Sequence, residues 1–195
     1  MGKSWADHYR ECCGNEVLLV GNIMHHTRFI EELAKWVKVG SRVLEVGSGT
    51  GVIGWPLAQA GVKVVSLDNE QEILDMAKVN AKLVGASIEY VFGDALSLPY
   101  EDGEFDLVYS HGLLEHFPDD ELAKVVSEHR RVGKMVVVGM PLLGCTEGAF
   151  GNERWLTEAE WIEKLRSCGV VSEFAYDGGK MVVFTLRGLA AERVS

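Results

Sequence analysis

Residues 43–54 read VLEVGSGTGVIG, and the parsing of this stretch decides the fold. Two glycine signatures overlap in it. Gly49-Thr50-Gly51-Val52-Ile53-Gly54 fits G-x-G-x-x-G, the fingerprint of a dinucleotide loop. Glu45-Val46-Gly47-Ser48-Gly49-Thr50-Gly51 fits an acid followed by alternating glycines, a loop suited to a different ligand. In both parsings a buried strand turns sharply into a helix, and glycines let a ligand approach the backbone. Residues downstream have to rank the two.

The flanking pattern is an alternation of strands and helices. A short helix is expected over 3–13, with Trp5, Tyr9 and Cys12 or Cys13 on one side, and a stronger one over 27–38 ending at Gly40. Strand 42–46 leads into helix 51–60, then strand 62–68. Asn69, with Glu72 three residues on, reads as the cap of a helix to about Leu83 that buries Ile73, Ala77 and Val84. Strands follow at 87–92 and 105–110, a helix at 119–132, and a strand at 134–140. Thr157 and Glu160 form a capping box opening a helix that buries Trp161, Ile162 and Leu165. The chain closes on a hairpin, VVSEFAYD and KMVVFTLRG, about Gly178-Gly179. This order specifies an α/β fold, a Rossmann-like seven-stranded, mostly parallel sheet with an antiparallel terminal strand and helices on both faces. Residues 1–40 read as an N-terminal helical cap and 41–195 as the core domain.

Composition narrows the function classes. Apolar residues make up 47% and charged residues 25%, ordinary for a soluble globular chain. A net charge of -10 repels phosphate backbones, so no nucleic-acid partner is expected. No apolar run reaches the roughly 20 residues that span a bilayer, and neither a secretory leader nor a myristoylation signal is visible, so the expectation is a cytoplasmic protein without a membrane partner. Cys12, Cys13, Cys145 and Cys168 form no C-x-x-C pair, in keeping with a reducing compartment. His25-His26 are adjacent and point apart on a helix, so no metal site is expected.

Two acids separate the glycine parsings. Asp68 ends the second strand, where a carboxylate can accept hydrogen bonds from both hydroxyls of a ribose. With Asn69 as the cap, Asp68 is left for a ligand. Asp94, in Gly93-Asp94-Ala95 after the third strand, can accept from an adenine amino group, with the Ala95 N–H beside the ring. VLEVGSGTG, VVSLD, GDALSLPYEDGEFDLVYS and GLLEHF span residues 42–117 in order. Through them the chain resembles the class I S-adenosylmethionine-dependent methyltransferases, most nearly the type 11 group that includes quinone-biosynthesis C-methyltransferases.

The resemblance implies a set of roles. Glu45, Gly47, Ser48, Gly49 and Gly51 would hold the methionine end of S-adenosyl-L-methionine. Asp68 and Asn69 would hold the ribose, and Asp94 and Ala95 the adenine. Ser110 and His111 would line the methionine side near the sulfonium. S-adenosyl-L-homocysteine would be the product, and Gly54 a packing residue. One departure is EHRRVGKMVVV, which lacks the Pro and Gly-Gly that the family often carries before strand five. The absence of a Pro-Pro-Tyr motif argues against amino-group methylation of bases or glutamine.

The expected reaction is direct displacement on the methyl carbon by a small-molecule acceptor, in which alignment supplies much of the rate. His116, with His111 as the second candidate, is the general base if the acceptor loses a proton. The segment before residue 30, with Trp5, His8, Tyr9, His25, His26 and Arg28, and loop 141–156 are expected to close the pocket. Two other readings remain: a non-catalytic cofactor-binding partner protein, and a nicotinamide-dependent oxidoreductase using the 49–54 frame.

Overall fold

The computed structural model describes residues 5–13, 16–145 and 152–189. Its seven strands form one sheet in the order β3-β2-β1-β4-β5-β7-β6, with helices around it. The chain divides into two compact units, Met1–Ala95 and Leu96–Ser195.

The first unit carries α1 (Trp5–Cys13), α2 (Glu16–His25), α3 (Thr27–Ala34), β1 (Arg42–Val46), α4 (Gly54–Gln59), β2 (Lys63–Asp68), α5 (Gln71–Leu83) and β3 (Ile88–Phe92). β1 and β2 are parallel with Leu44 opposite Val65, and β2 and β3 are parallel with Val65 opposite Glu89. Val43, Leu44, Val46, Val64, Val65 and Leu67 are buried, so consecutive residues are covered on both faces. That is why these strands read as unbroken apolar runs rather than alternations. Against them α5 buries Ile73, Leu74, Ala77 and Ala81.

Several local expectations for this unit are corrected. α2 was not anticipated. α3 stops at Ala34 rather than 38, because the N–H groups of Lys35 and Trp36 close on the carbonyls of Glu32 and Leu33 in a tighter last turn. α4 begins at Gly54, not residue 51, because the chain is still turning through left-handed Gly51. Pro56 then lies in the first helical turn, where its missing N–H costs no intrahelical bond. Val84 is the C-cap of α5 and is only half-buried.

The second unit carries β4 (Phe105–His111), a 3-10 turn (Leu114–His116), α6 (Asp119–Val132), β5 (Gly133–Pro141), α7 (Glu158–Leu165), β6 (Val170–Tyr176) and β7 (Met181–Arg187). β4 and β5 are parallel. β7, the last strand in the chain, is antiparallel as expected and lies between β5 and β6. The hairpin turn is a 3-10 turn, Asp177–Gly179. The capping box at Thr157 and Glu160 is present. α7 buries Trp161 and Leu165, whereas Ile162 faces outward and is 38% exposed.

The departure before β5 has a simple geometry. α6 passes into β5 at Gly133 without a left-handed cap, its φ being -102°. A Cβ on Gly133 would lie 2.7 Å from Val108 Cγ2, 2.9 Å from the Met135 carbonyl and 3.0 Å from the His129 carbonyl. The preceding loop is fastened to α6 by the Arg131 guanidinium. It donates to the carbonyls of Tyr100 (2.7 Å) and Leu98 (3.0 Å) and to Glu128 (2.7 and 2.8 Å).

Candidate functional site

The glycine loop joins β1 to α4 within the first unit. Gly47, Gly49 and Gly51 all have positive φ, of 72°, 49° and 71°. A side chain at any of the three would be strained. Gly54 is buried as the first residue of α4, the packing place expected of it. The backbone therefore bends at the three alternating glycines that follow Glu45. The Ser48 side chain is buried, and its hydroxyl has no hydrogen-bond partner. A buried unpartnered hydroxyl is costly and marks a place for a ligand atom.

Glu45 is buried beneath the loop and accepts from the Ser66 hydroxyl at 2.5 Å. Asp68 stands at the end of β2. Its Oδ2 accepts from Gly49 N at 3.2 Å and its Oδ1 from Glu70 N at 3.0 Å. Burial raises its pKa, and the surrounding N–H groups pull it back down. The cap expected at Asn69 is thus corrected. The N-cap of α5 is Glu70, Asn69 is exposed, and Asp68 satisfies the N–H groups at this corner. The N–H groups of Ser48 and Asn69 also act on this carboxylate, so Asp68 gathers backbone donors from both the glycine loop and the start of α5. Asp94 is exposed and Ala95 is buried after β3.

The second unit holds the remaining candidates. Ser110, at the end of β4, is 1% exposed, and its hydroxyl has no partner. His111 Nε2 is 2.8 Å from the Tyr176 hydroxyl. That contact joins β4 to β6 and engages the nitrogen a base would use. His116 ends the 3-10 turn, half-buried, with Nδ1 3.0 Å from Asn152 Oδ1. With Nδ1–H donating to that oxygen, Nε2 is the basic nitrogen.

Glu115 was missed at the sequence level. It is 3% exposed, one carboxyl oxygen is unpartnered, and the other is 4.0 Å from His116 Nε2. Burial, reinforced by the charge of Glu153, pushes its pKa up to about 8. Its own backbone carbonyl accepts from Arg154 N at 2.9 Å, tying the 3-10 turn to the segment after residue 151. The sequence signal was an acid directly following Leu113 and Leu114.

Of loop 141–156, residues 146–151 lie outside the described part, as do Lys3 and Ser4 of the first expected helix and the side chains of Cys12 and Cys13. Cys145 and Cys168 are free thiols. Among the described residues, no three His, Cys, Asp or Glu side chains gather to hold a metal, and no helix is long and apolar enough to cross a membrane.

Residues 43–135 match the family described as a methyltransferase domain. The demethylmenaquinone methyltransferase of Renibacterium salmoninarum is 38% identical over 125 residues, covering 63% of this chain and 51% of that protein. The chain thus spans about half the length of this curated relative. Among solved structures, a protein of Pyrococcus horikoshii superposes with a TM-score of 0.76 at 20% identity, over 92% of this chain and 95% of its own. The magnesium protoporphyrin IX methyltransferase of Synechocystis with bound S-adenosylmethionine superposes with a TM-score of 0.74 at 18% identity, over 96% and 92%. These two likenesses concern the fold. The matched family and the two superpositions therefore make the chain similar to a methyltransferase domain over residues 43–135, on a fold that carries the left-handed glycines after Glu45 and the same sheet.

Proposed function

We propose that this chain is an active methyltransferase that binds S-adenosyl-L-methionine at its glycine loop and methylates a small-molecule acceptor. The observation that carries the reading is the loop itself. Left-handed Gly47, Gly49 and Gly51 bend the chain around a buried Ser48 hydroxyl that has no protein partner, beside Asp68. When bound, the cofactor supplies a methyl carbon already activated by its cationic sulfur. Ser48 and the loop backbone hold the amino-acid end. Asp68 accepts from the ribose hydroxyls, and Asn69 stands beside it. Asp94 and the Ala95 backbone receive the adenine. Ser110 and His111 line the methionine side.

The transfer is a single in-line displacement. The acceptor's lone pair forms the new bond to the methyl carbon as the carbon–sulfur bond breaks. Its electrons stay on sulfur, leaving neutral S-adenosyl-L-homocysteine. The proton lost by the acceptor goes to His116 Nε2, since His111 Nε2 is engaged by Tyr176. Asn152 fixes the imidazole tautomer for this role. Residues 1–40 act as a cap segment for the core that follows.

Two measurements test the reading. Calorimetry with S-adenosyl-L-homocysteine is expected to show binding, and absence of binding for this ligand and for the cofactor would sink the proposal. Turnover of methyl-labelled cofactor on a panel of phenolic, quinol and amine acceptors then separates an enzyme from a cofactor-binding partner protein. The nicotinamide reading loses support because residues 43–135 match a family described as a methyltransferase domain.

A further inference from the structure

His111 and Tyr176 stand at the same edge of the second unit's strands. β4 is parallel to β5, and β7 is antiparallel to both β5 and β6, so β4, β5 and β6 run in one direction. His111 ends β4 and Tyr176 ends β6. Both therefore lie at the carboxyl edge, where open α/β sheets receive ligands. The register also puts them on one face. His111 is opposite Gly139, Gly139 is opposite Val183, and Val183 is opposite Phe174, two residues before Tyr176. Directly opposed residues share a face, and so do residues two apart in a strand. A contact from β6 to β4 crosses three strand spacings, roughly 14 Å. At the position beside His111, β5 carries a glycine and raises no side chain in the way.

Tyr176 is 8% exposed, and its hydroxyl meets His111 Nε2 at 2.8 Å. Among the described residues, this nitrogen is the hydroxyl's hydrogen-bond partner. Burial raises the phenol's pKa, and Asp177 and Cys145 add to the effect, so the hydroxyl keeps its proton. A buried hydroxyl that places its proton on no acceptor is costly. The imidazole supplies that acceptor when Nε2 carries the lone pair and Nδ1 the proton.

We propose that Tyr176 is a positioning residue for His111: its hydroxyl donates to Nε2, fixes the Nδ1–H tautomer and holds the ring at the methionine side of the cofactor. This rests on the reading that His111 lines that side. It gives the two histidines different work. His111 is a fixed wall whose Nε2 lone pair is occupied, and His116 is the proton acceptor.

The test joins a readout on the protein alone to a binding measurement. Heteronuclear NMR of the histidine side chains, slightly above neutral pH, reports each tautomer, and the spectrum of His111→Gln assigns the His111 signal. The unsubstituted protein is expected to show His111 as the Nδ1–H tautomer. Tyr176→Phe keeps the ring, removes the hydroxyl and is expected to shift His111 toward the Nε2–H form. It is also expected to weaken S-adenosyl-L-homocysteine about three- to tenfold, a loss that largely vanishes in a His111→Gln background. An Nε2–H tautomer in the unsubstituted protein overturns the assignment, however Tyr176→Phe folds. Unchanged affinity in Tyr176→Phe, or the same loss with and without His111, overturns the positioning role. Failure of the unsubstituted protein to bind S-adenosyl-L-homocysteine overturns the cofactor reading itself, whatever the tautomer.

Discussion

Asp68 reaches back across the turn to Gly49, accepting its N–H at 3.2 Å while also accepting from Glu70 at 3.0 Å. The carboxylate proposed to hold the ribose is therefore also part of the scaffold that shapes the loop. Asp68→Ala removes both functions. It is expected to cost on the order of 1–2 kcal/mol in stability and to weaken S-adenosyl-L-homocysteine at least tenfold. Denaturant melts and calorimetry on the same preparation separate the two effects, and a stability loss with unchanged affinity would remove the ribose role.

Glu115 sets a pH dependence. The unfolded chain releases this proton near pH 4.5, and the folded chain keeps it until about pH 8. Between those values the unfolded state gains the ionised form and the native state does not, so this group's contribution to stability falls as pH rises. The slope is about 1.4 kcal/mol per pH unit for a single group. Glu115→Gln keeps the shape without the titration. It is expected to be more stable than the parent at pH 8, by on the order of 2 kcal/mol or more, with the gap closing below pH 4.5. Parallel stability curves for the two proteins would contradict this.

His129 acts at the other end of the scale. It is fully buried in α6, with Nδ1 2.8 Å from the Val125 carbonyl and Nε2 unpartnered. Burial lowers its pKa to about 4. The unfolded chain takes up the proton near pH 6.5, so stability is lost as pH falls from there toward 4. Replacing His129 with Leu is expected to flatten this acid limb, read as the dependence of melting temperature on pH between 4 and 7. An unaltered limb would place the proton uptake elsewhere.

Gly133→Ala probes the passage from α6 to β5. Its φ is one that any residue adopts, so the effect comes from space alone. Two of the three atoms that a Cβ would meet are backbone carbonyls at 2.9 and 3.0 Å, which cannot rotate away. A loss of about 1–3 kcal/mol is expected from chemical denaturation. Gly85→Ala has open space but a φ of 68°, and serves as the control for conformational strain without crowding.

Much of the fold was legible because its signals are local. The strands buried on both faces announce themselves as apolar runs, and the Thr157–Glu160 box is a three-residue reciprocal bond that needs no tertiary context. α2 was illegible for the opposite reason. It leaves Val20 and Met24 exposed, so these two apolar residues give no buried face to read. Asn69 misled because a good capping residue lost to a neighbour: Asp68 already supplied an acceptor for the Glu70 N–H. Glu115 was missed because the burial of a lone acid is decided by what packs over a short turn. The nearness of Tyr9 to Gly49 is a contact 40 residues apart in the chain, which no local pattern encodes.

The placement of β7 has a consequence for synthesis. β6 is made before β7, yet within the sheet it pairs with β7 alone. A nascent chain that has delivered only residues up to Lys180 thus holds a β6 with no neighbour and a β5 with a bare edge, a template for pairing with other chains. Met181–Arg187 fills both gaps at once. The second unit therefore passes from adhesive to closed only when Met181–Arg187 joins the sheet, and a chain cut short just before Met181 would present unpaired strand edges on both β5 and β6.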